Sequence, residues 1–283
     1  MGSSESSLKT NNEDKENNID KENVILLGDS VLDNFYWLDN KKEDLCFQLN
    51  DIFTRDFKGK FNCINLALDE TESPDIYNGK KPSPVYVKDR ELIGMDNYKV
   101  DNDGFYYPLK LVAKTNAKYC VLSVGGNDAR VLILKHLGNV KKVYQEMTES
   151  FITNYTKAVD SVMKLIPNVI LVLVYRPGPG FLLNLEQCNQ LFNLLIPGLL
   201  AVARQKKLPV IDLSRTFNPE NKSHYGTTPI EPSNKSSMFI ANLIIKVLGD
   251  FKFGEDTSKI YYGSEKDKFI IDKNSEDYLY KLS

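Results

Sequence analysis

Several features are missing from this chain of 283 residues. No apolar run is long enough to cross a bilayer, and no apolar segment follows the first residues, so we expect neither a transmembrane helix nor a signal peptide. The formal net charge is -2 at pH 7 and there is no long basic run, which argues against a nucleic-acid partner. With 42% hydrophobic and 26% charged residues, the composition is typical of a globular protein with one large core or two small ones.

Cysteine is also scarce, and its spacing excludes two kinds of site. The four cysteines (Cys46, Cys63, Cys120 and Cys188) lie far apart in the sequence. This pattern fits neither a zinc site nor a dense disulfide framework, so it predicts reduced thiols and a cytoplasmic location. The sequence predicts no metal and no cofactor.

The N-terminal tail is polar and contains one short pattern that resembles a lipid-modification signal. Residues 1–22 contain almost nothing apolar, which is typical of a disordered segment. The run Met1-Gly2-Ser3-Ser4-Glu5-Ser6 fits the pattern for myristoylation of Gly2, although a serine-rich tail can match so short a pattern by chance. A single acyl chain would give only weak, reversible membrane association.

Short apolar runs alternate with helical patterns between residues 23 and 250. Strands that are apolar throughout and alternate with helices indicate a parallel sheet covered on both faces. Residues 74–108 form an irregular insertion, and residues 251–283 form a charged, tyrosine-rich extension that could add a hairpin or a helix. The predicted strands lie near residues 24–27, 61–68, 119–124, 169–175 and 209–213, and the main predicted helices near 35–53, 143–166, 185–206 and 236–248.

Polar residues of catalytic type follow two of these strands. The first strand ends in Gly28-Asp29-Ser30, a strand-to-helix turn of the kind that exposes nucleophilic serines, although Ser30 is equally suited to cap a helix. The third strand ends in Gly125-Gly126-Asn127-Asp128, and an asparagine amide can donate to a developing oxyanion. Because the carboxyl ends of parallel strands border one crevice, we expect Ser30 and Asn127 to lie close together.

These two motifs, each behind an apolar strand and about a hundred residues apart, resemble those of the SGNH (GDSL-type) hydrolases. The resemblance covers roughly residues 23–250, which we take as one domain between the tail and the extension. It implies an α/β, flavodoxin-like three-layer fold with a five-stranded parallel sheet. It further implies that Ser30 is the nucleophile, that its backbone N–H and the Asn127 amide bind the oxyanion, and that the substrate is a small-molecule, lipid or carbohydrate ester.

The sequence departs from the family pattern in two places. Glu70 stands where the family has a glycine whose backbone N–H also binds the oxyanion. The Glu70 N–H could take the same role, although its carboxylate would be unfavourable near an oxyanion unless turned away. The family's Asp-x-x-His before a proline is absent: aligned on Pro232, Glu231 takes the place of the histidine and Thr228 that of the aspartate. A carboxylate with a pKa of about 4.3 is a weak base toward a hydroxyl unless burial raises that pKa.

Glu231 and His224 are therefore the two candidate bases, since His224 precedes Glu231 in the same loop and the chain has only two histidines. Arg130 and Arg176 both follow carboxyl ends of strands, where each could bind an anionic substrate group or form a salt bridge. Two functions remain open. The chain is either an SGNH-like ester hydrolase, attenuated or not, or an inactive binding or scaffold protein that keeps the fold. Acylation of Gly2 would add the third option of a membrane-peripheral adaptor.

Overall fold

The computed structural model describes residues 21–83, 101, 103–136, 139–263, 268–278 and 280. Gly2, predicted to be acylated, and residues 1–20 of the predicted disordered tail (1–22) lie outside this part of the chain. About half of the predicted insertion, residues 84–100 and 102, also lies outside it. The last residue of the predicted tail, Glu22, is in a strand instead.

A single sheet of seven strands organises the described residues. The strands run in the spatial order β2-β1-β3-β4-β5-β6-β7, and every neighbouring pair is parallel except the antiparallel pair β6 and β7. The strands are β1 (Glu22–Gly28), β2 (Phe61–Asn65), β3 (Tyr119–Ser123), β4 (Asn168–Leu173), β5 (Val210–Asp212), β6 (Lys259–Tyr262) and β7 (Ile270–Lys273).

The five predicted strands are neighbours in this sheet, in the flavodoxin-like order 2-1-3-4-5, and β6 extends the parallel part to six strands. The predicted fold class is confirmed, but the predicted number of strands was wrong. The extension adds β6 and β7, and β6 pairs with β5, which would otherwise present its unpaired backbone at the edge of the sheet. Both strands have four residues, too short to stand out as apolar runs.

Helices cover both faces of the sheet. The described helices include α1 (Leu45–Asp56), α2 (Ser73–Asn78), α3 (Pro108–Val112), α4 (Gly126–Lys135), α5 (Val140–Glu146), α6 (Ile152–Met163), α7 (Leu185–Lys206), α8 (Leu213–Thr216) and α9 (Asn234–Asp250). Short 3₁₀ turns span Asn34–Trp37, Lys41–Glu43 and Lys222–His224, and a π-helical turn, Met147–Phe151, joins α5 to α6. Among these helices, none combines the length and the apolarity needed to traverse a bilayer.

Alternation along β1 divides the core into two halves. Ile25 and Leu27 pack on one side, in a cluster that includes residues of α6 and α7. Val24 and Leu26 pack on the other side, in a cluster that includes residues of α1 and α9. This is the three-layer arrangement that buried parallel strands require, and it leaves the carboxyl ends of the strands to carry the polar loops.

The first predicted helix differs most from the observed one. Residues 35–53 were expected to form one helix, but α1 begins at Leu45, where the Asp44 side chain accepts a hydrogen bond from the Phe47 N–H at 2.8 Å. The preceding segment is held by tertiary contacts instead, because the buried Asn34 side chain accepts from the Leu45 N–H and donates to Ser237. This segment passes directly beside the end of β1.

Candidate active site

Ser30 sits in a tight turn at the carboxyl end of β1. Gly28 has a φ of +125°, and the next N–H, from Asp29, donates to the Ser123 carbonyl of β3 at 3.0 Å. The Asp29 carbonyl then accepts from the N–H groups of Leu32 and Asp33, both at 3.1 Å. The residues behind Ser30 thus form a turn rather than the expected helix, so Ser30 does not cap one.

Asp29 fixes the shape of this turn. Its side chain is buried, and its Oδ1 accepts from the Val31 N–H at 3.2 Å and from the Ser123 hydroxyl at 2.8 Å. Burial raises the pKa of Asp29 to about 7, although these two hydrogen bonds act to lower it. Asp29 therefore anchors the loop that carries Ser30 to β3.

Asn127 is the second residue of α4, and the helix begins directly after the positive-φ residue Gly125. Its side chain is buried, and Nδ2 donates to the Thr71 carbonyl at 3.2 Å. A carboxamide nitrogen carries two hydrogens, so one remains to serve an oxyanion. The loop after β2 thus orients the amide, a role for Thr71 that the sequence motifs did not reveal.

Glu231 lies in the loop that precedes α9, and the backbone of that loop is clamped on two sides. The Gly226 N–H donates to the Glu231 carbonyl at 2.8 Å. The Tyr175 hydroxyl donates to the Ile230 carbonyl at 2.5 Å, and the Gly178 N–H donates to the Pro229 carbonyl at 2.7 Å. Only 3% of Glu231 is exposed, so its carboxyl group is held in the interior.

The Glu231 carboxyl is electrostatically unusual. Burial is the main cause that raises its pKa to about 8, and the nearby charge of Asp69 adds to the increase. Hydrogen bonding with the Ser30 side chain and the positive charge of Arg130 act in the opposite direction. Its Oε2 is buried without a hydrogen-bond partner among the described residues. Glu231 is thus a carboxyl group of raised basicity that interacts with Ser30.

Ser30, Asn127 and Glu231 line one pocket together with Asp29 and Arg130. The rest of its wall is mainly apolar. It comes from the segment after β4, from α4, from the π-helical turn and from α7, with contributions that include Val174, Met147, Leu191, Phe192 and Leu195. An apolar wall beside a few convergent polar groups is typical of small-molecule sites. Within the described residues, no group of three or more His, Cys, Asp or Glu side chains is placed to hold a metal ion.

His224, the other candidate base, is not among the residues that line this pocket. Its ring packs against Phe217 and Phe239, and its Nδ1 accepts a hydrogen bond from the Asn218 N–H at 3.0 Å. Burial lowers its pKa, so the ring stays neutral and keeps this acceptor. The geometry gives His224 a structural role in the loop instead of the expected role as a base.

Glu70 does not offer the expected oxyanion donor. Its backbone N–H donates to the Asp69 carboxylate at 2.6 Å, so it is directed away from the pocket, and Glu70 is not one of the lining residues. Its φ of +60° is nevertheless the left-handed conformation that glycine adopts without strain. The backbone at this position thus has a glycine-like conformation although the residue is a glutamate.

Replacement of Glu70 tests this conformation. Because a β-carbon is strained in the left-handed region, we expect Glu70→Gly to be more stable to unfolding than Glu70→Ala by about 1 kcal/mol, with part of the relief offset by the greater chain entropy of glycine. Urea unfolding of both variants measures the difference. Equal stability, or a more stable alanine variant, would contradict the positive φ.

Solved structures of other proteins share the fold of this chain. No family model and no curated protein sequence matches the chain. Among solved structures, a lipase from a goat rumen metagenome is 15% identical with a TM-score of 0.54, over 83% of this chain and 99% of that one. A lipase/acylhydrolase from Enterococcus faecalis is 17% identical with a TM-score of 0.52, over 83% of this chain and 99% of that one.

An acetyl xylan esterase from Geobacillus stearothermophilus is 12% identical with a TM-score of 0.52, over 81% of this chain and 94% of that one. Identities this low support a shared fold only, so the chemistry has to be argued from the residues of this chain. The sheet order, the serine turn after β1 and the asparagine motif after β3 agree with that fold. The chain has the fold of the SGNH (GDSL-type) hydrolases.

Proposed function

We propose that the chain hydrolyses ester bonds, with Ser30 as the nucleophile, Glu231 as the general base and Asn127 as an oxyanion donor. The observation that carries this proposal is the interaction of the Ser30 side chain with a buried carboxyl group of raised pKa, inside the pocket that also holds the Asn127 amide. A nucleophile next to a base is the arrangement that covalent catalysis requires.

In the acylation half of the reaction, ionised Glu231 accepts the Ser30 hydroxyl proton as Oγ bonds to the ester carbonyl carbon. The carbonyl oxygen becomes an oxyanion, which the Asn127 amide and the Ser30 backbone N–H stabilise by hydrogen bonds. Protonated Glu231 then returns the proton to the alcohol oxygen as the carbon–oxygen bond breaks. The alcohol leaves, and the acyl group remains on Ser30.

Deacylation repeats these steps with water as the nucleophile. Glu231 accepts a proton from water as its oxygen bonds to the acyl carbon, and the same donors bind the second oxyanion. The proton returns to Ser30 Oγ as the acyl–serine bond breaks, which releases a carboxylic acid. The mainly apolar wall of the pocket suits an acyl or alkyl chain rather than a bare sugar ring.

The raised pKa of Glu231 makes its carboxylate a stronger base but lowers the fraction of it that is ionised at neutral pH. A carboxylate with a pKa of about 8 is a far stronger base than an ordinary glutamate. At pH 7, however, only about one such carboxyl group in ten is ionised and able to accept the proton. Buried glutamate can therefore replace an imidazole, but it works best above neutral pH.

Covalent labelling tests the nucleophile directly. A fluorophosphonate reacts with activated serines and mimics the tetrahedral intermediate, so we expect one adduct per chain, located at Ser30. Intact-mass and peptide mass spectrometry measure the adduct. Ser30→Ala should remain unlabelled. The matched control is Ser161→Ala on α6, whose native hydroxyl donates to the Lys157 carbonyl, and it should be labelled like the wild type.

The second candidate function is that of a binding protein without turnover. It is favoured by the Glu70 N–H, which donates to Asp69 and leaves one fewer oxyanion donor than the family pattern has. Absence of both labelling and ester turnover at pH 8 to 9, in protein that unfolds cooperatively, would support this alternative. A labelled Ser30 together with measurable turnover would exclude it.

A further inference from the structure

Among the described residues that line the pocket, Arg130 has the one cationic side chain. It follows Asn127 by three residues on α4, and residues so spaced on a helix lie side by side, about 5–6 Å apart at their β-carbons. The charge of Arg130 also acts on the Glu231 carboxyl. The guanidinium is therefore close to the atoms that react in the proposed mechanism.

The protein itself uses little of the hydrogen-bonding capacity of this guanidinium. Its closest carboxylate contact among the described residues is Glu70, at 3.9 Å, which is too long for a hydrogen bond. Its Nε is buried with no hydrogen-bond partner in the same part of the chain. By contrast, the two terminal nitrogens of the Arg176 guanidinium donate to Asn189 at 3.2 Å and to the Ser214 carbonyl at 3.0 Å, so these donors are used within the fold.

The acidic side chains that line the pocket beside Arg130 do not fully neutralise its charge at pH 7. Burial raises the pKa of Glu231 to about 8 and that of Asp128 to about 6, and Asp29 has a pKa of about 7. Glu231 is thus mostly neutral at pH 7, and Asp29 is only partly ionised. Asp128 is mostly ionised, but it is not among the residues that line the pocket, and its Oδ2 accepts from the Ser73 N–H at 2.9 Å. The Glu70 carboxylate is 46% exposed, and such an exposed pair is weak enough for a better-placed anion to replace it.

We infer that Arg130 binds an anionic group, a carboxylate or a phosphate, of the ester that Ser30 attacks. This inference rests on the proposed function and narrows its substrate class to esters with a negative charge near the scissile bond and an apolar chain for the rest of the pocket. Guanidinium groups bind both anions through paired N–H donors, which a lysine cannot reproduce.

Matched ester pairs test the inference and distinguish its two anions. The carboxylate pair is mono-4-nitrophenyl glutarate against 4-nitrophenyl pentanoate. The phosphate pair is dihexanoyl phosphatidic acid against dihexanoylglycerol, both below their micellar concentrations. We expect at least one anionic ester to have a kcat/KM at least tenfold above its neutral partner, and the pair that shows this preference identifies the anion.

The variants then assign the preference to Arg130. Arg130→Gln should lower the ratio of kcat/KM for the preferred anionic ester to kcat/KM for its neutral partner at least tenfold, and Arg130→Lys should fall between. Both esters should also share the smaller loss that follows when the positive charge near Glu231 is removed. Arg55→Gln removes the same charge from the surface of α1 and should leave the preference intact. Equal loss on both esters of a pair would overturn the inference, because Arg130 would then act through Glu231 or through the fold. Absence of any preference in the wild type would overturn it as well.

A binding measurement keeps the inference separate from the proposed hydrolysis. The ether-linked analogue of dihexanoyl phosphatidic acid and 4-carboxybutyl methyl ether cannot be hydrolysed, and calorimetric titration reports their affinity without turnover. We expect wild type and Ser30→Ala to bind at least one of them at least tenfold more tightly than its neutral counterpart, and Arg130→Gln to lose that difference. Anion-selective binding without hydrolysis would refute the proposed function alone. Binding of neither anion would refute the role of Arg130 alone.

Discussion

Glu231→Gln should lower kcat/KM for ester hydrolysis about 10³-fold or more, because it removes the base and keeps the size of the side chain. Loss of the general base from a serine-hydrolase triad costs roughly 10⁴ to 10⁶, and a carboxyl base that is mostly protonated at pH 7 starts from a lower rate. Steady-state assays on a neutral short-chain ester measure the change. A loss of less than tenfold would contradict the role of Glu231.

The pH dependence of the wild type provides a sharper signature. Only ionised Glu231 accepts the proton, and its pKa is about 8, so kcat/KM should rise about tenfold for each pH unit below 8 and level off above it. An imidazole base would give a limb near pH 6.5. The double variant Thr228→Asp/Glu231→His, which restores the family residues, should therefore move the limb downward by more than one pH unit. An unchanged limb would assign the titration to another group.

Stability measurements show whether Glu231→Gln acts through chemistry or through the fold. The pKa of Glu231 is raised on folding, so its protonated form favours the folded state, and stability is lost as the pH rises from the unfolded value of about 4.3 toward 8. A glutamine cannot ionise. At pH 9 the variant should therefore be more resistant to urea than the wild type, and a destabilised variant would indicate structural damage instead.

The parts of the fold that the sequence predicted are those with strong local signals. Helix α7 spans Leu185–Lys206 as expected, because an Asn184 cap, paired with the Gln187 side chain, marks its start. Pro197 lies inside this helix without ending it. For the C-terminal extension the sequence left a hairpin and a helix open, and β6 and β7 form the hairpin. Their four-residue length and charged surroundings give no apolar period, and their place in the sheet depends on pairing with a distant edge.

In the candidate site, too, the sequence predicted the features with local signals and missed those that depend on tertiary contacts. The positions of Ser30 and Asn127 follow from strand ends, and the structure brings both into one pocket with Glu231. The raised pKa of Glu231 could not be read from its neighbours in sequence, because it arises from burial and from the charge of Asp69 in another loop. The direction of the Glu70 N–H likewise depends on a backbone torsion and on where the Asp69 carboxylate lies.

The close approach of β1 to β3 at Gly28 has the largest expected effect on stability. A β-carbon at this position would lie 1.7 Å from the Ser123 carbonyl oxygen, a backbone atom of the central sheet. That oxygen cannot shift without breaking hydrogen bonds, because it accepts from the Asp29 N–H. The Ser123 hydroxyl also donates to the Asp29 side chain, which holds the two strands together at this point. The φ of +125° adds strain for any residue with a β-carbon.

Gly28→Ala should therefore destabilise the protein by more than about 4 kcal/mol or prevent it from folding, and it should displace Ser30 in any protein that does fold. Gly249→Ala is the matched control, because Gly249 lies in α9 with no atom within 4 Å of the added β-carbon. There the same change should stabilise the helix by up to about 1 kcal/mol. Soluble yield and urea unfolding of the two variants measure the contrast. If Gly28→Ala unfolded within about 1 kcal/mol of the wild type, β1 and β3 could not approach each other as closely as described, and the position of the serine turn would have to be revised.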